Sequence, residues 1–259
     1  MGAQDAWFRR RRRRHAPRRR PQARADTVTE TAKPKPQPIR DAGTLILIDR
    51  SETEPKVLMG KRHSASPFMP GKFVFPGGRV EAADGKVNVA GVYAPHVERR
   101  LQERVQRPSI SRARAYGLAA IRELAEETGI LVGDRESGPF ASPGSTWDSF
   151  AEAEVFPSLE SLTLIARAIT PTGRPRRFDA RFFAADASAI GARKEGVVTP
   201  DAELVELVWV TLAEARTLDL PNITATVLGD LAERIEEGLE RDLAVPFYPK
   251  GSSGVRELL

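Results

Sequence analysis

Residues 122–130 read Arg-Glu-Leu-Ala-Glu-Glu-Thr-Gly-Ile and are the most informative stretch of the chain. Side chains three and four positions apart share one face of a helix, so Glu123, Glu126 and Glu127 are predicted to be neighbours. Arg122 lies four residues before Glu126 and is predicted to reach it. Three like charges on one helix face repel each other, so the pattern favours a face that binds a cation. A solvated, glutamate-rich helix surface is the simpler alternative.

A long helix is predicted to carry these glutamates. Ser109 or Ser111 is a suitable N-cap, and Gly129 is placed to end the helix just after Thr128. Short apolar runs elsewhere predict strands, at residues 44–48, 57–59, 73–75, 162–169 and 205–210. Further helices are predicted at residues 97–105, 211–216 and 223–239. Strands interleaved with helices in this order favour an α/β fold, with a sheet between layers of helices.

The stretch resembles the box of the Nudix hydrolase family, G-x5-E-x7-R-E-U-x-E-E-x-G-U, in which U is a bulky aliphatic residue. All the specified positions of its second half are matched, by Arg122, Glu123, Leu124, Glu126, Glu127, Gly129 and Ile130. Residues 75–78, Phe-Pro-Gly-Gly, match the lead-in to its first half. The resemblance spans roughly residues 43–240 and implies a Nudix-type α/β/α sandwich with a mixed central sheet.

Two departures from the box stand out. Asp84 occupies the position where the family has its first glutamate, so the acid is shorter by one methylene. In addition, 37 residues separate Asp84 from Arg122 instead of 7, which is an insertion of 30 residues, at about 85–114. Because the glutamates need their helix, the insertion is expected to leave from the loop before it and to form an outgrowth at the rim of the site.

The resemblance also implies the site residues. Mg²⁺, or Mn²⁺, is expected to be bound by Glu123, Glu126 and Glu127, with the Gly78 carbonyl as an additional ligand, because oxygen ligands suit hard cations. Catalytic roles are implied for Arg122, Glu123 and Glu126, with Arg122 as the orienting group. In several Nudix enzymes a further acid from a distant loop joins the site, and the candidates here are Glu203, Glu206 and Asp179.

The substrate is predicted from weaker signals. An insertion at this point of the box, and residues 177–183, are similar to the branch that includes the peroxisomal coenzyme A diphosphatases of animals. This similarity implies hydrolysis of a diphosphate linkage in a nucleotide conjugate, with coenzyme A or acyl-coenzyme A as the first choice. ADP-ribose, a dinucleotide or a nucleotide sugar are alternatives. Arg62, Arg177 and Arg181 are predicted to bind substrate phosphates, with solvated surface charge as the alternative.

Charge divides the chain into two parts. Residues 1–40 hold 13 Lys or Arg against 3 acids, whereas the whole chain carries +5. The predicted organisation is therefore a disordered basic tail over 1–40, a Nudix domain over 41–245 and a C-terminal tail over 246–259. Three explanations of the basic tail compete: an arm for nucleic acid or anionic membrane, an organellar transit peptide, and a gene start placed too early, with translation beginning near Val28. The lack of serine and of an amphipathic period speaks against the transit peptide.

The composition excludes several classes of protein. The chain has no cysteine, which rules out a disulfide scaffold, a zinc–thiolate site and a cysteine nucleophile. No stretch reads as a membrane span or a secretory signal, so a cytoplasmic protein is expected. The expected partner is a small-molecule nucleotide diphosphate, and nucleic acid is expected only through the basic tail. RNA processing and a non-catalytic ligand sensor are the hypotheses from other classes.

Overall fold

A mixed β-sheet forms the centre of the protein. The structure, a computed structural model, describes residues 38–251 and 254–259. The strands are β1 Ile39–Asp49, β2 Lys56–Arg62, β3 Phe73–Val74, β4 Gly77–Arg79, β5 Ile130–Asp134, β6 Phe156–Pro157, β7 Thr163–Ile169, β8 Arg177–Asp186, β9 Ile190–Arg193, β10 Leu204–Thr211, β11 Pro246–Tyr248 and β12 Glu257–Leu258. The helices are α1 Pro95–Gln102, α2 Ile110–Thr128, α3 Asp148–Glu152, α4 Leu212–Ala215 and α5 Asn222–Glu237. Short 3-10 turns lie at Asp84–Lys86, Ser145–Trp147 and Ala187–Ala189.

The large sheet runs in the order β10-β2-β1-β8-β7-β11-β12. β1 and β8 are parallel over ten residue pairs, and β7 returns antiparallel to β8. β3 pairs with β2, and β4 pairs with the first half of β1. A smaller sheet has the order β6-β5-β9. The mixed sheet predicted from the sequence is thus confirmed.

Alternating side chains of the central strands face two separate cores. Leu45, Leu47 and Phe183 pack on the side of α2, whereas Ile46 and Ile48 pack on the side of α5. Successive side chains of a strand point to opposite faces, so each strand contributes to both layers. The result is an α/β/α sandwich, as predicted, and its two helical layers are α2 and α5.

The inserted segment packs along α2. Tyr93, Val97 and Leu101 are buried in the core on that side, and Tyr93 donates a hydrogen bond to the Ala113 carbonyl at 3.2 Å. The helix predicted at 97–105 forms as α1, somewhat earlier in the sequence. Residues 110–114, predicted to be part of the insertion, are instead the first turn of α2. The segment is therefore a layer on the helix, and not an outgrowth at the rim of the cavity described below.

The boundaries predicted for the domain need correction at both ends. β1 begins at Ile39, within the segment predicted as tail, and residues 1–37 lie outside the described part of the chain. The predicted C-terminal tail contributes β11, which pairs with β7, and β12, which pairs with β11. Residues 246–248 and 257–258 therefore extend the sheet. Within the described residues, no helix has both the length and the apolar character needed to cross a membrane.

Candidate active site

The glutamates are held by the last two turns of α2. Ser109 caps the start of this helix by accepting a hydrogen bond from the Arg112 amide at 3.2 Å. Gly129 ends it with a left-handed backbone, φ 76°, and donates its amide to the Ala125 carbonyl. Only glycine adopts this conformation without steric cost, which explains the sharp end of the helix. The predicted start and end are both confirmed.

Arg122 is the centre of a buried ion network. Its Nε and Nη2 donate to the two Asp84 carboxylate oxygens at 2.9 and 3.1 Å, and Nη2 also donates to the Arg79 carbonyl at 2.9 Å. Its Nη1 donates to Glu123 at 2.8 Å and to Glu126 at 3.2 Å. The Arg122 side chain is 3% exposed and that of Asp84 is 1% exposed. Asp84, although shorter than glutamate, thus still accepts hydrogen bonds from Arg122 with both carboxylate oxygens.

These contacts outweigh the electrostatic cost of burying Arg122. Burial alone lowers the pKa of a guanidinium, but hydrogen bonds and charge from Asp84, then Glu123, raise the pKa of Arg122 overall. The arginine therefore stays charged, and its fork holds Glu123 and Glu126 in fixed positions. This is the orienting geometry expected of Arg122 from the sequence.

Glu127 is a buried carboxylate that forms no ion pair with a basic side chain of residues 38–251 or 254–259. It is 7% exposed and accepts one hydrogen bond, from the Gly77 amide at 3.1 Å. Burial, followed by the charges of Glu203 and Glu123, raises the pKa of Glu127 to about 8. A divalent cation beside this carboxylate would offset each of these unfavourable terms.

The structure distinguishes among the three candidates for a further acid. Glu203 lines the same cavity as Glu123 and Glu127 and contributes to the raised pKa of both. Glu206 is paired with Lys61 at 3.5 Å, and Asp179 is paired with buried arginines. Of the three candidates, Glu203 is therefore the one that lines the cavity together with the box carboxylates.

The donor set at this point fits a hard divalent cation. Gly78 lies against Glu123 so closely that a Cβ at this position would be 2.3 Å from the Glu123 carboxyl carbon, so any side chain would displace it. As the side chains stand, however, no three acidic or histidine groups of the described residues are close enough together to hold an ion. Arg122 binds Glu123 from one side, and a cation could bind its other side. Glu123, Glu127 and Glu203, with the Gly78 carbonyl, supply oxygen ligands of the right kind.

Glu126 lies apart from this group. It is exposed, bonded to Arg122, and its pKa is raised by burial and then by the charges of Glu81 and Asp84. It is not among the residues that line the cavity. Its predicted roles as a ligand and in catalysis therefore remain predictions, and would require its carboxylate to turn toward Glu123.

A cavity of about 1210 Å³ opens from the carboxylates. Its lining includes the acidic residues Glu123, Glu127 and Glu203 beside Gly77 and Gly78. It also includes aromatic and basic residues, namely Phe68, Phe178, Arg40, Arg174, Arg176 and Arg177. Its floor is the α5-facing side of the sheet. The volume suits a nucleotide-sized ligand, and the lining carries charges of both signs.

The three arginines predicted to bind substrate have different positions. Arg177 lines the cavity and donates Nε to the Thr170 carbonyl at 3.1 Å. Arg62 also lines it, but most of its donors are used within the protein. Arg181 is wrong as a substrate ligand: it is 1% exposed, lies outside the cavity, and stacks on the Tyr116 ring at 3.7 Å. Its side chain shares the face of Phe183, toward α2.

Proteins similar to this chain are found among solved structures. No family model matches the chain, and no curated protein sequence was found to be similar. Among solved structures, a Nudix hydrolase from Alicyclobacillus acidocaldarius is 26% identical over 74% of this chain and 90% of its own, with a TM-score of 0.56. A MutT protein from Methanosarcina mazei (15% identity, 77% and 97% covered, TM-score 0.43) and the Nudix domain of Shewanella oneidensis NrtR with ADP ribose (14%, 77% and 90%, 0.42) are more distant. The last two likenesses say nothing about the activity of this chain.

The layered sandwich, with the glutamates at the end of α2 facing the Gly77-Gly78 bend, is the architecture of a Nudix fold. The Alicyclobacillus likeness extends over nearly all of that protein, and the box residues are in place. The chain therefore has a Nudix fold, and its likeness to a Nudix hydrolase supports activity as a hydrolase of that type.

Proposed function

We propose that the chain uses a divalent cation, Mg²⁺ or Mn²⁺, to hydrolyse a diphosphate linkage in a nucleotide conjugate. The observation that carries this proposal is the buried Glu127 carboxylate, which lines a nucleotide-sized cavity together with Glu123 and Glu203. Carboxylate oxygens suit a hard divalent cation, which would draw these three side chains closer together when it binds.

Each protein group has a distinct task in this proposal. Glu123, Glu127, Glu203 and the Gly78 carbonyl would hold the ion. When bound, such an ion neutralises charge on the diphosphate and activates an attacking water. Arg122 fixes Glu123, and Asp84 fixes Arg122, so the ligands are ordered before substrate arrives. A carboxylate oxygen not taken up by the ion, on Glu203 or Glu126, accepts the proton of the water.

Coenzyme A or acyl-coenzyme A is the proposed substrate. Arg40, Arg174, Arg176 and Arg177 line one part of the cavity, and among the described residues none of them is paired with a carboxylate. So much uncompensated charge suits a conjugate that carries a phosphate besides its diphosphate. ADP-ribose, dinucleotides and nucleotide sugars share the diphosphate but lack that additional monoester.

A panel of substrates tests both the metal-dependent mechanism and the choice of coenzyme A as substrate. Coenzyme A, ADP-ribose, a dinucleotide and a nucleotide sugar are incubated with the full chain and Mg²⁺, and the products are separated by chromatography. We expect turnover that stops in excess EDTA, with coenzyme A preferred and 3′,5′-ADP released. Preference for ADP-ribose would reject the coenzyme A assignment alone. Turnover unaffected by EDTA would reject the metal-dependent mechanism.

A further inference from the structure

Arg62, at the end of β2, joins two walls of the cavity. Its Nη2 donates to the Glu203 carboxylate at 2.8 Å and to the Ser66 hydroxyl at 2.9 Å. Its Nε donates to the Phe68 carbonyl at 2.9 Å. The side chain is only 12% exposed, so the guanidinium is held in a single arrangement. One side chain thus contacts both an acid of the site and the loop that follows β2.

The position of the Glu203 carboxylate depends on this contact. The backbone of Glu203 is fixed, because its carbonyl accepts the His63 amide at 3.0 Å and the next residue pairs with Arg62 across β10 and β2. Its side chain is 56% exposed, and Arg62 is its one ion-pair partner among the described residues. Glu123 and Glu127 repel it. Without the arginine, the carboxylate would turn toward solvent.

The loop held by the same guanidinium carries an aromatic wall of the cavity. Phe68 meets Phe178 edge-on, with ring centroids 6.4 Å apart. Met69, the next residue, has a positive φ of 52°, an uncommon conformation for methionine. The hydrogen bonds from Arg62 to Phe68 and Ser66 stabilise this conformation from within the turn.

We infer that Arg62 is a positioning residue, which sets Glu203 against Glu123 and Glu127 for cation binding and ties this acid to the Phe68 wall. The inference rests on the proposed function, because it assigns Glu203 to the metal site. It replaces direct capture of a substrate phosphate as the main role of Arg62.

The adjacent residue offers a matched control. Lys61 precedes Arg62 on β2 and pairs with Glu206 at 3.5 Å, on a side chain that is 42% exposed and outside the cavity lining. Lys61→Gln therefore removes one cation and one ion pair between the same two strands, without touching Glu203.

The test is a double-mutant cycle on the full chain. The native protein is compared with Arg62→Gln, with Glu203→Gln, with the double variant and with the control Lys61→Gln. Mn²⁺ affinity, kcat and KM are measured for each. Groups that orient metal ligands typically contribute about 10–100-fold to metal affinity. We expect Arg62→Gln and Glu203→Gln each to weaken Mn²⁺ binding by about 10-fold or more, and the double variant to resemble Glu203→Gln alone. Lys61→Gln should match the native protein.

Several results would overturn the inference. If Arg62 held substrate directly, Arg62→Gln would raise KM, leave Mn²⁺ affinity unchanged, and act independently of Glu203→Gln. If Arg62→Gln failed to fold, Glu203→Gln, which keeps the Phe68 loop bonds, would decide: unchanged Mn²⁺ affinity there rejects the inference. A native chain that bound no Mn²⁺ would reject the proposed function together with it. Native binding unaffected by either variant would reject the roles of Arg62 and Glu203 and leave the cation assigned to the box glutamates.

Discussion

Two ion networks lie along α2, and they differ in which charge is in excess: carboxylates in one and arginines in the other. Toward the end of the helix, Arg122 meets Asp84, Glu123 and Glu126, so carboxylates exceed cations. Toward its start, the arginines exceed the acids, in a network of Arg112, Arg167, Arg181, Asp41 and Asp179. The acid-rich network opens on the large cavity, whereas Arg181, the centre of the other, is closed from solvent.

This difference in charge indicates different roles for the two networks. The arginine-rich network has a structural role. In the second network, Arg167 donates to the carbonyls of Glu103 and Arg104, and Arg112 donates to the Gln106 carbonyl, so it ties the inserted segment to the sheet. Its charges are paired within the protein, although two Arg181 nitrogens, Nε and Nη2, lack a hydrogen-bond partner among the described residues. The excess of carboxylates beside the cavity, in contrast, supports the proposal that this end of α2 binds a cation.

The largest effect is expected at Glu127. A bound cation stabilises the transition state by several kcal/mol. Because each tenfold change in rate corresponds to about 1.36 kcal/mol, loss of the cation from Glu127→Gln is expected to lower kcat on the order of 10³-fold. The same variant should raise the Tm of the metal-free protein near neutral pH, because it removes a carboxyl group whose pKa is raised by burial and by the charges of Glu203 and Glu123. Glu240→Gln, at a side chain 83% exposed, is the control and should change neither quantity. Native-like turnover in Glu127→Gln would contradict the assignment.

Arg122→Met should cause the largest loss of stability. Asp84 would remain fully buried without its partner, and breaking such a pair costs about 3–5 kcal/mol. For a domain of this size, 1 kcal/mol corresponds to about 2–4 °C in Tm. Thermal unfolding measures the change, and a Tm within 2 °C or so of the native value would show that Arg122 is not needed to keep Asp84 buried.

Arg177→Gln should act on binding and not on stability. Arg177 lines the cavity and is partly exposed, so its charge contact with substrate is worth roughly 0.5–1 kcal/mol, or about a 2–5-fold rise in KM. Arg193→Gln, at an exposed arginine at the end of β9 and outside the cavity lining, is the matched control. Equal KM values for the two variants would remove Arg177 from the substrate site.

Arg181→Met should have the smallest effect on activity. In this variant Asp41 still pairs with Arg112, and Asp179 still pairs with Arg167. The variant removes the buried Arg181 guanidinium, whose pKa is lowered by burial. Replacing buried charge with a well-packed apolar side chain is often neutral or stabilising. Steady-state kinetics should show unchanged kcat and KM, at an equal or higher Tm. A tenfold rise in KM would instead restore the role in phosphate binding predicted from the sequence.

Local signals explain which parts of the site could be predicted from the sequence. The face of Glu123, Glu126 and Glu127, the cap at Ser109 and the stop at Gly129 all follow from residues within one helix. Arg62 and Glu203 are 141 residues apart in the sequence, and they meet only because β2 pairs with β10. No pattern in the residues near either one predicts this contact.

Two misplaced predictions have a similar origin. Strand alternation puts Arg181 on the α2 face of β8 with Phe183, and Phe178 and Phe182 on the cavity face. Arg177 has the same parity as Arg181 but is the first residue of β8, where the chain enters the strand, and it lines the cavity. The short strands β11 and β12 have two or three residues each, and only their pairing with β7 and with each other defines them.

The central claim is that the acid-rich end of α2 binds a divalent cation. Equilibrium binding of Mn²⁺ to the full chain and to Glu127→Gln, followed by electron paramagnetic resonance of the free ion, tests it most directly. We predict saturable binding to the native chain that Mg²⁺ competes away and that is lost in the variant. Equal binding of Mn²⁺ by the native chain and the variant, or by neither, would contradict the claim.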